Sequence, residues 1–448
     1  MNPRALAERV CKRLNAAGYL AYLVGGCVRD LLLDREPADY DIATNATPDR
    51  VVGVFPDSLT VGAQFGVVIV VEDGLEVHVA TFRSETGYSD GRRPDQVIFA
   101  SSPAEDARRR DFTINALFML PATGEILDYV AGRADLDARI IRAIGDPVRR
   151  FQEDRLRMAR AIRFASRLGY EIENGTFEAI QRKAADIASV SPERLRDECT
   201  RILTEGSAAR GFELLDTSGI LIRILPEVSR MKEVRQPPQY HPEGDVWTHT
   251  LLLLSQLRTG VSATLAWGAL LHDIGKPPTF APPVGAEGRI RFDGHAEIGA
   301  VMARAICERF RFSSGETEQI VALVAQHMRF KDVLAMRPAT LKRFVRQPAF
   351  EEHLELNRID CTASNGNLQS HAFVKNFMAT TPIEQVRPTR LISGDDLREM
   401  GIPPGPIYKQ ILDNIEDAQL EGRIITSGDA REMAKKLSKS GSSLTSLA

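Results

Sequence analysis

Residues 22–44, YLVGGCVRDLLLDREPADYDIAT, decide how the first third of the chain folds. An apolar run, Tyr22-Leu23-Val24, enters Gly25-Gly26, and Arg29-Asp30 follow where a helix is predicted to start. Paired glycines let backbone approach a ligand closely, and the amides of a helix N-terminus suit phosphate oxygens. A Gly-Gly turn alone serves as often for plain chain reversal. Asp39-Tyr40-Asp41, some thirteen residues on, narrows the reading. In an extended strand residues i and i+2 project from one face, so Asp39 and Asp41 aim two carboxylates at one point. They repel unless a cation lies between them. Oxygen donors without Cys or His suit Mg²⁺, which keeps waters and binds substrate phosphates. Two such ions can serve an in-line displacement at phosphorus.

Working outward, residues 66–71 and 75–82 are apolar runs split by Glu72-Asp73-Gly74, the pattern of a hairpin. With an opening amphipathic helix they predict an α+β head over residues 1–145. Asp111 follows Arg108, Arg109 and Arg110, with Asn115 four residues later. On a helix that spacing shares a face, and arginine forks match phosphate oxygens. Arg83, Glu85, Arg92 and Arg93 flank or occupy the loop-like stretch SETGYSDGRRP.

From residue 146 to about 228 the pattern turns helical. Seven arginines and two acids, Glu153 and Asp154, lie between Arg149 and Arg167, with Arg157, Arg160 and Arg163 at steps of three. So cationic a helix reads most simply as a nucleotide or nucleic-acid surface. Asp154 and Arg157 would place one acceptor beside one forked donor, the groups that read a base edge. Ordinary salt bridges on a solvated helix are the other reading, and spacing alone favours them.

A Pro-rich stretch, MKEVRQPPQYHPEG, reads as a linker. Residues 240–380 look helical, and six of the eight histidines fall between residues 241 and 353. His249, His272-Asp273, His295, His327 and Asp360 stand on successive helical stretches, the way helix bundles build metal sites from facing side chains. His with carboxylate suits a divalent ion holding a hydroxide. Residues 385–435 predict further helices, and 436–448 a disordered tail.

The 448 residues, 43% hydrophobic and 26% charged, allow two to four domains and exclude a disulfide mini-protein or a disordered chain. The 57 basic and 60 acidic residues nearly cancel, so any polyanion would be held by local clusters. Five scattered cysteines without a C-x-x-C pair fit a reducing cytoplasm better than a disulfide framework or zinc ribbon. No signal-peptide core or membrane-length apolar run is present.

Four motifs in order, Gly25-Gly26-x-Val28-Arg29-Asp30, Asp39-x-Asp41, Arg110-Asp111-Phe112-Thr113-Ile114-Asn115-Ala116 and Glu153-Asp154-x-x-Arg157, resemble class II tRNA nucleotidyltransferases. These are the CCA-adding enzymes and the related bacterial poly(A) polymerases, and the likeness runs over about residues 20–225. The resemblance implies a head with a polymerase-beta-type sheet, an all-α neck, and a helical C-terminal region. Asp39 and Asp41 would hold catalytic Mg²⁺. Gly25, Gly26, Arg29, Arg110, Asp111, Asn115, Arg160 and Arg163 would surround the nucleotide, and Asp154 and Arg157 would choose C or A. Arg194 and Glu198 would brace the neck, and residues 128–145 would form a flexible element between head and neck. The partners implied are a tRNA 3′ end, CTP and ATP, with no membrane. One departure concerns a third carboxylate. Many relatives read Glu-Val-Ala-Thr-Phe-Arg where this chain has His78-Val79-Ala80-Thr81-Phe82-Arg83, and Glu76 is the nearest substitute.

The histidine pattern resembles the HD metal-dependent phosphohydrolases. It implies His249, His272, Asp273 and Asp360 as ligands of Mg, Mn, Ni or Co, with His295 and His327 as added ligands or phosphate contacts and Lys276 beside a phosphate. Addition of A alone, poly(A) synthesis, and a phosphohydrolase with an RNA-docking head are the competing expectations.

Overall fold

In the computed structural model, which describes residues 2–62, 66–86, 96–100, 102–283 and 288–442, the stretch 22–44 folds as strand, helix, strand. Strand β1 (Ala21–Val24) is followed by the helix Gly26–Leu32 and then by β2 (Asp41–Thr44). The remaining strands of this region are β3 (Leu59–Gly62), β4 (Val67–Glu72), β5 (Leu75–Thr81), β6 (Arg83–Thr86), β7 (Gln96–Phe99), β8 (Leu117–Leu120) and β9 (Glu125–Asp128). Seven of them form one sheet in the order β3-β4-β5-β2-β1-β8-β9, and β6 pairs with β7 separately. The expected hairpin is β4–β5, in register from Val67↔Ala80 to Glu72↔Leu75.

Two pairings position the acidic residues. β1 runs antiparallel to β2 with Val24 opposite Asp41, and β5 runs parallel to β2 with His78 opposite Asp41. One face of the sheet is covered by the helix Pro3–Ala16, which buries Leu6, Ala7, Val10, Cys11 and Leu14 at helical spacing. Val24, Ala43, Phe82, Ala107, Ala116, Phe118 and Ile144 form an apolar cluster in the head.

The chain divides into two compact units. The first comprises Met1–Arg230, Leu257–Ala263 and Arg309–Arg311. It holds the sheet and the helices Pro147–Glu153, Arg157–Leu168, Pro192–Thr204 and Ala208–Thr217, so the sequence-derived boundary at 145/146 falls inside it. Gly132–Ala138, within the stretch expected to be flexible, is a helix tied to its surroundings by Thr113 Oγ1 donating to Asp135 Oδ2 at 2.7 Å. The second unit, Met231–Gln256, Thr264–Glu308 and Phe312–Ala448, shows only helices and turns among the described residues, apart from isolated bridges. Its core includes Phe330, Phe344 and Phe350, and a C-terminal cluster joins Leu397, Ile411, Ile415 and Ala434. The disordered tail expected from residue 436 is corrected in part. The helix Ser427–Ser442 carries through residues 436–442, burying Ala430 and Ala434 on one face, and 443–448 lie outside the described residues. All five cysteines are free. Among the described residues no helix is long and apolar enough to cross a membrane.

Candidate active sites

Tyr40 is 3% exposed, pointing into the head, so Asp39 and Asp41 on either side of it face outward. Asp41 opens β2 while Asp39 lies just before the strand, so the alternation begins one pair earlier than the hydrogen-bonded ladder. Burial raises the Asp41 carboxyl above the usual range and the charge of Asp39 raises it further, against His78 and Arg110. A carboxyl made costlier to ionise by an acidic neighbour belongs to a donor set suited to a cation, so these residues fit Mg²⁺. His78 Nδ1 lies 3.6 Å from Asp41 Oδ1, and Glu76 is on the same strand face, opposite Val71. Gly25 has φ +83°, a left-handed conformation that glycine adopts without strain, and a Cβ there would lie 3.3 Å from Arg110 Nη1.

Asp111 and Asn115 do come together, but not on a helix. The helix Pro103–Arg109 ends before Asp111, and Asn115 closes a one-turn 3₁₀ segment, Thr113–Asn115. Asn115 Nδ2 donates to Asp111 Oδ1 at 3.2 Å, and Arg160 Nε and Nη2 donate to Asp111 Oδ2 at 3.0 and 2.8 Å. Burial would raise the Asp111 carboxyl, but Arg160, supported by Arg157 and Asn115, holds it at about 2. Arg29 is 2% exposed and donates to Asp30 and, from Nη1, to Asn115 Oδ1 at 2.6 Å. It stands behind Asn115 and orients it.

On the arginine-rich helix the structure shows the ion pairs that spacing alone favoured. The charges of that helix are largely compensated within the unit. Arg157 Nη1 donates to Glu153 Oε2 at 2.8 Å, and Arg163, 3% exposed, pairs with Glu198 at 2.7 Å and Glu205 at 3.2 Å. Arg163 is therefore an internal cross-link, because two glutamates occupy its guanidinium. Asp154 and Arg157 do not share a helix. Asp154 terminates Pro147–Glu153 in extended backbone (φ −145°, ψ 107°), and Arg157 begins the next helix. Asp154 Oδ2 accepts from Arg194 Nη2 at 2.7 Å. Arg92 and Arg93 lie outside the described residues.

In the second unit the predicted ligands converge. Among the described residues, His249, His272 and Asp360 lie close enough to share one ion, as do Asp273, His295 and His327. Four histidines turn Nδ1 outward to an acceptor. His272 faces Ala269 O at 2.9 Å, His295 Phe292 O at 2.8 Å, His327 Val324 O at 2.7 Å, and His249 Glu243 Oε1 at 2.7 Å. Carbonyl and carboxylate oxygens only accept, so each ring donates there and turns Nε2 to the centre. The centre holds His249 Nε2 to Asp360 Oδ1 at 3.1 Å, His272 Nε2 to Asp273 Oδ2 at 3.2 Å, and His295 Nε2 to His327 Nε2 at 3.2 Å. His249 Nε2 and His272 Nε2 are buried and meet aspartate oxygens without well-aligned hydrogen bonds, which is the arrangement expected of nitrogens and carboxylates that share an ion. Burial holds His327 down at about 4, keeping it neutral and able to ligate. Burial would also lower His249, but Asp360 and Glu243 outweigh it and lift the ring to about 9, so an ion taken up at Nε2 would displace a proton held there. Lys276 donates to Gln236 Oε1 at 2.6 Å and pairs with Asp273 at 2.7 Å. A cavity of about 680 Å³ opens beside the centre, lined by His241, Lys276, Arg289, Arg291, Lys331 and Asp360 among others.

Three family models match the chain: "Poly A polymerase head domain" over residues 21–142, "Probable RNA and SrmB-binding site of polymerase A" over 169–232, and "HD domain" over 246–356. The CCA-adding enzyme of Geobacillus sp. (strain WCH70) is 32% identical over 423 residues, covering 94% of each protein. The chain belongs to the CCA-adding enzyme family. That of Bacillus pumilus (strain SAFR-032) is 41% identical over 273 residues, 61% of this chain and 64% of the relative. The Bacillus stearothermophilus CCA-adding enzyme, solved in complex with CTP, superposes with a TM-score of 0.75 at 27% identity, covering 99% of this chain and 100% of that one.

Sequence reasoning missed Asp106 in the head and Glu243 and His241 in the second unit. Asp106 is 1% exposed and accepts from Arg109 Nε at 2.8 Å and Arg110 Nη2 at 2.9 Å, aligning the arginines that precede Asp111. Its position three and four residues before them was the available signal. Glu243 and His241 lie in the stretch read as a linker, where no periodicity marks them.

Proposed function

We propose that the first unit adds C, C and A to tRNA 3′ ends from CTP and ATP, and that the second hydrolyses phosphate esters. The acidic pair Asp39 and Asp41, at the entry to β2 beside the Gly25-Gly26 turn, carries the first reading, because it sets two outward carboxylates next to a tight backbone approach. Asp39 and Asp41 would hold Mg²⁺, which when bound neutralises phosphate charge and activates the attacking hydroxyl. The terminal 3′ oxygen of the RNA attacks the α-phosphate, the bond to the β-phosphate oxygen breaks, and pyrophosphate leaves. Asp111, Asn115 and Arg110 line the nucleotide. Their orientation is held by Arg160, Arg29 and Asp106, and pre-set polar groups need no reorganisation during the reaction. Asp154 and Arg157 select the base, held by Arg194 and Glu153. Single changes to alanine there are expected to blur the choice between CTP and ATP while retaining transfer.

In the second unit His249, His272, Asp273 and Asp360, with His295 and His327, would hold a divalent ion able to supply a hydroxide at neutral pH. The cationic wall of the cavity would receive the phosphate.

Incubating the protein with tRNA lacking its last three nucleotides, and with CTP, ATP or both, tests the first activity. Incorporation of C, C and A supports it, whereas incorporation of ATP but never CTP makes the protein an A-adding enzyme or poly(A) polymerase. Metal-dependent release of product from 2′,3′-cyclic nucleotides tests the second.

A further inference from the structure

Glu243 has only 7% of its side chain exposed, and its Oε1 lies between two rings, 2.7 Å from His249 Nδ1 and 2.8 Å from His241 Nδ1. Both rings donate to this one oxygen, and they meet edge to face at 4.9 Å. Its other oxygen, Oε2, is buried without a hydrogen-bond partner, so the carboxylate is committed to the two histidines. On its far side His249 presents Nε2 to Asp360 Oδ1 at 3.1 Å. His241 instead lines the cavity beside the centre. The carboxylate is carried by the segment before the helix Val246–Ser255. Asp245 anchors that segment by accepting from Thr248 N at 2.8 Å, and its other oxygen accepts from Glu233 N at 2.6 Å.

We propose that Glu243 is a positioning residue of the HD metal centre, fixing the His249 ring through Nδ1 so that Nε2 stays on the ion and tying cavity-lining His241 to that ligand. This rests on the reading of the second unit as a metal site. A carboxylate behind a ligating imidazole sets both ring angle and tautomer, and losing it costs metal affinity rather than fold. His241, Glu243 and His249 also lie close enough to share an ion, but both Nδ1 atoms are committed to Glu243 Oε1 and His241 is assigned no ligand role, so the two side chains separate experimentally.

The test is Mn²⁺ titration of the full-length protein by calorimetry, the HD sites being identified as those lost in Asp273→Ala. Glu243→Ala is expected to weaken those sites by roughly ten- to a hundredfold. Glu243→Gln, which keeps an oxygen able to accept from both rings but loses the carboxylate charge, should fall between. His241→Ala should leave Mn²⁺ affinity at the wild-type level. CMP transfer to tRNA should stay unchanged in all three variants, showing that the chain is folded. Wild-type Mn²⁺ affinity in Glu243→Ala overturns the proposal, as does a loss in His241→Ala matching that of Glu243→Ala, which would make the pair ligands themselves. If Asp273→Ala leaves Mn²⁺ binding intact, it is the metal-centre reading that fails.

Discussion

Asp41 and His78 face each other across two parallel strands, with Nδ1 and Oδ1 3.6 Å apart. An imidazole offers a softer donor than a carboxylate, so under the proposed reading the head would hold Mg²⁺ with fewer hard oxygens than a site with three acids. His78→Glu is therefore expected to lower, several-fold, the Mg²⁺ concentration giving half-maximal CTP incorporation. An unchanged Mg²⁺ requirement would show that position 78 does not reach the ion. Asp111 offers a pH prediction. Its folded pKa, about 2, lies below the unfolded carboxylate value. The resulting stabilisation is complete above pH ~4 and disappears as the pH falls towards 2, amounting to about 2 kcal/mol. Asp111→Asn should lower the melting temperature at pH 7, and the gap to wild type should narrow below pH 4. A gap independent of pH would mean that Arg160 does not stabilise the ionised form. At this scale residue type in the sequence was enough to put forward Asp39 and Asp41, and the histidines and aspartates that the second unit brings together. It was not enough for Asp106 and Glu243, whose roles depend on which side chains arrive from elsewhere.

Elements were read better than their ends. The β4–β5 hairpin and the helix after Gly25 appear where alternation and the glycine pair put them. The break at Asp154 does not follow from periodicity, because the apolar positions of both helices continue across it, and only the cap geometry reveals two elements. The arginine ladder was ambiguous for a related reason. A spacing of three specifies a face but not what that face meets, and here it meets Glu153, Asp111, Glu198 and Glu205. Packing between elements also explains Gly275 of the His272-Asp273-Ile274-Gly275 turn. A Cβ there would sit 2.0 Å from the carbonyl oxygen of His295 and 2.7 Å from Gly299 N. Gly275→Ala must push the helix His295–Arg309 aside, carrying His295 with it. The expected cost is about 1–3 kcal/mol of stability, with weakened Mn²⁺ binding at the HD centre and intact nucleotidyl transfer. Wild-type Mn²⁺ affinity in that variant would show that His295 is not needed for the ion.

Across the whole molecule, each candidate site lies within one of the two compact units: Asp39 and Asp41 in the first, the histidine centre in the second. Asp41→Ala is expected to abolish CTP and ATP incorporation while leaving hydrolysis of 2′,3′-cyclic nucleotides at its wild-type rate. Asp273→Ala is expected to do the reverse. If either single change silences both activities, the picture of two separate sites fails.

The order of motifs along this chain determined its family, the α+β character of the head, the helical character of the rest and the ligand types of both candidate metal sites. Those are properties of residue identity and local period. Tertiary structure alone decided that the arginines of the helix Arg157–Leu168 turn inward to acids, that Asp111 meets Asn115 through a 3₁₀ turn, and that a Pro-rich stretch delivers Glu243 behind His249. Each of these depends on a long-range or aperiodic approach, where a buried charge must find its partner wherever the chain happens to bring one.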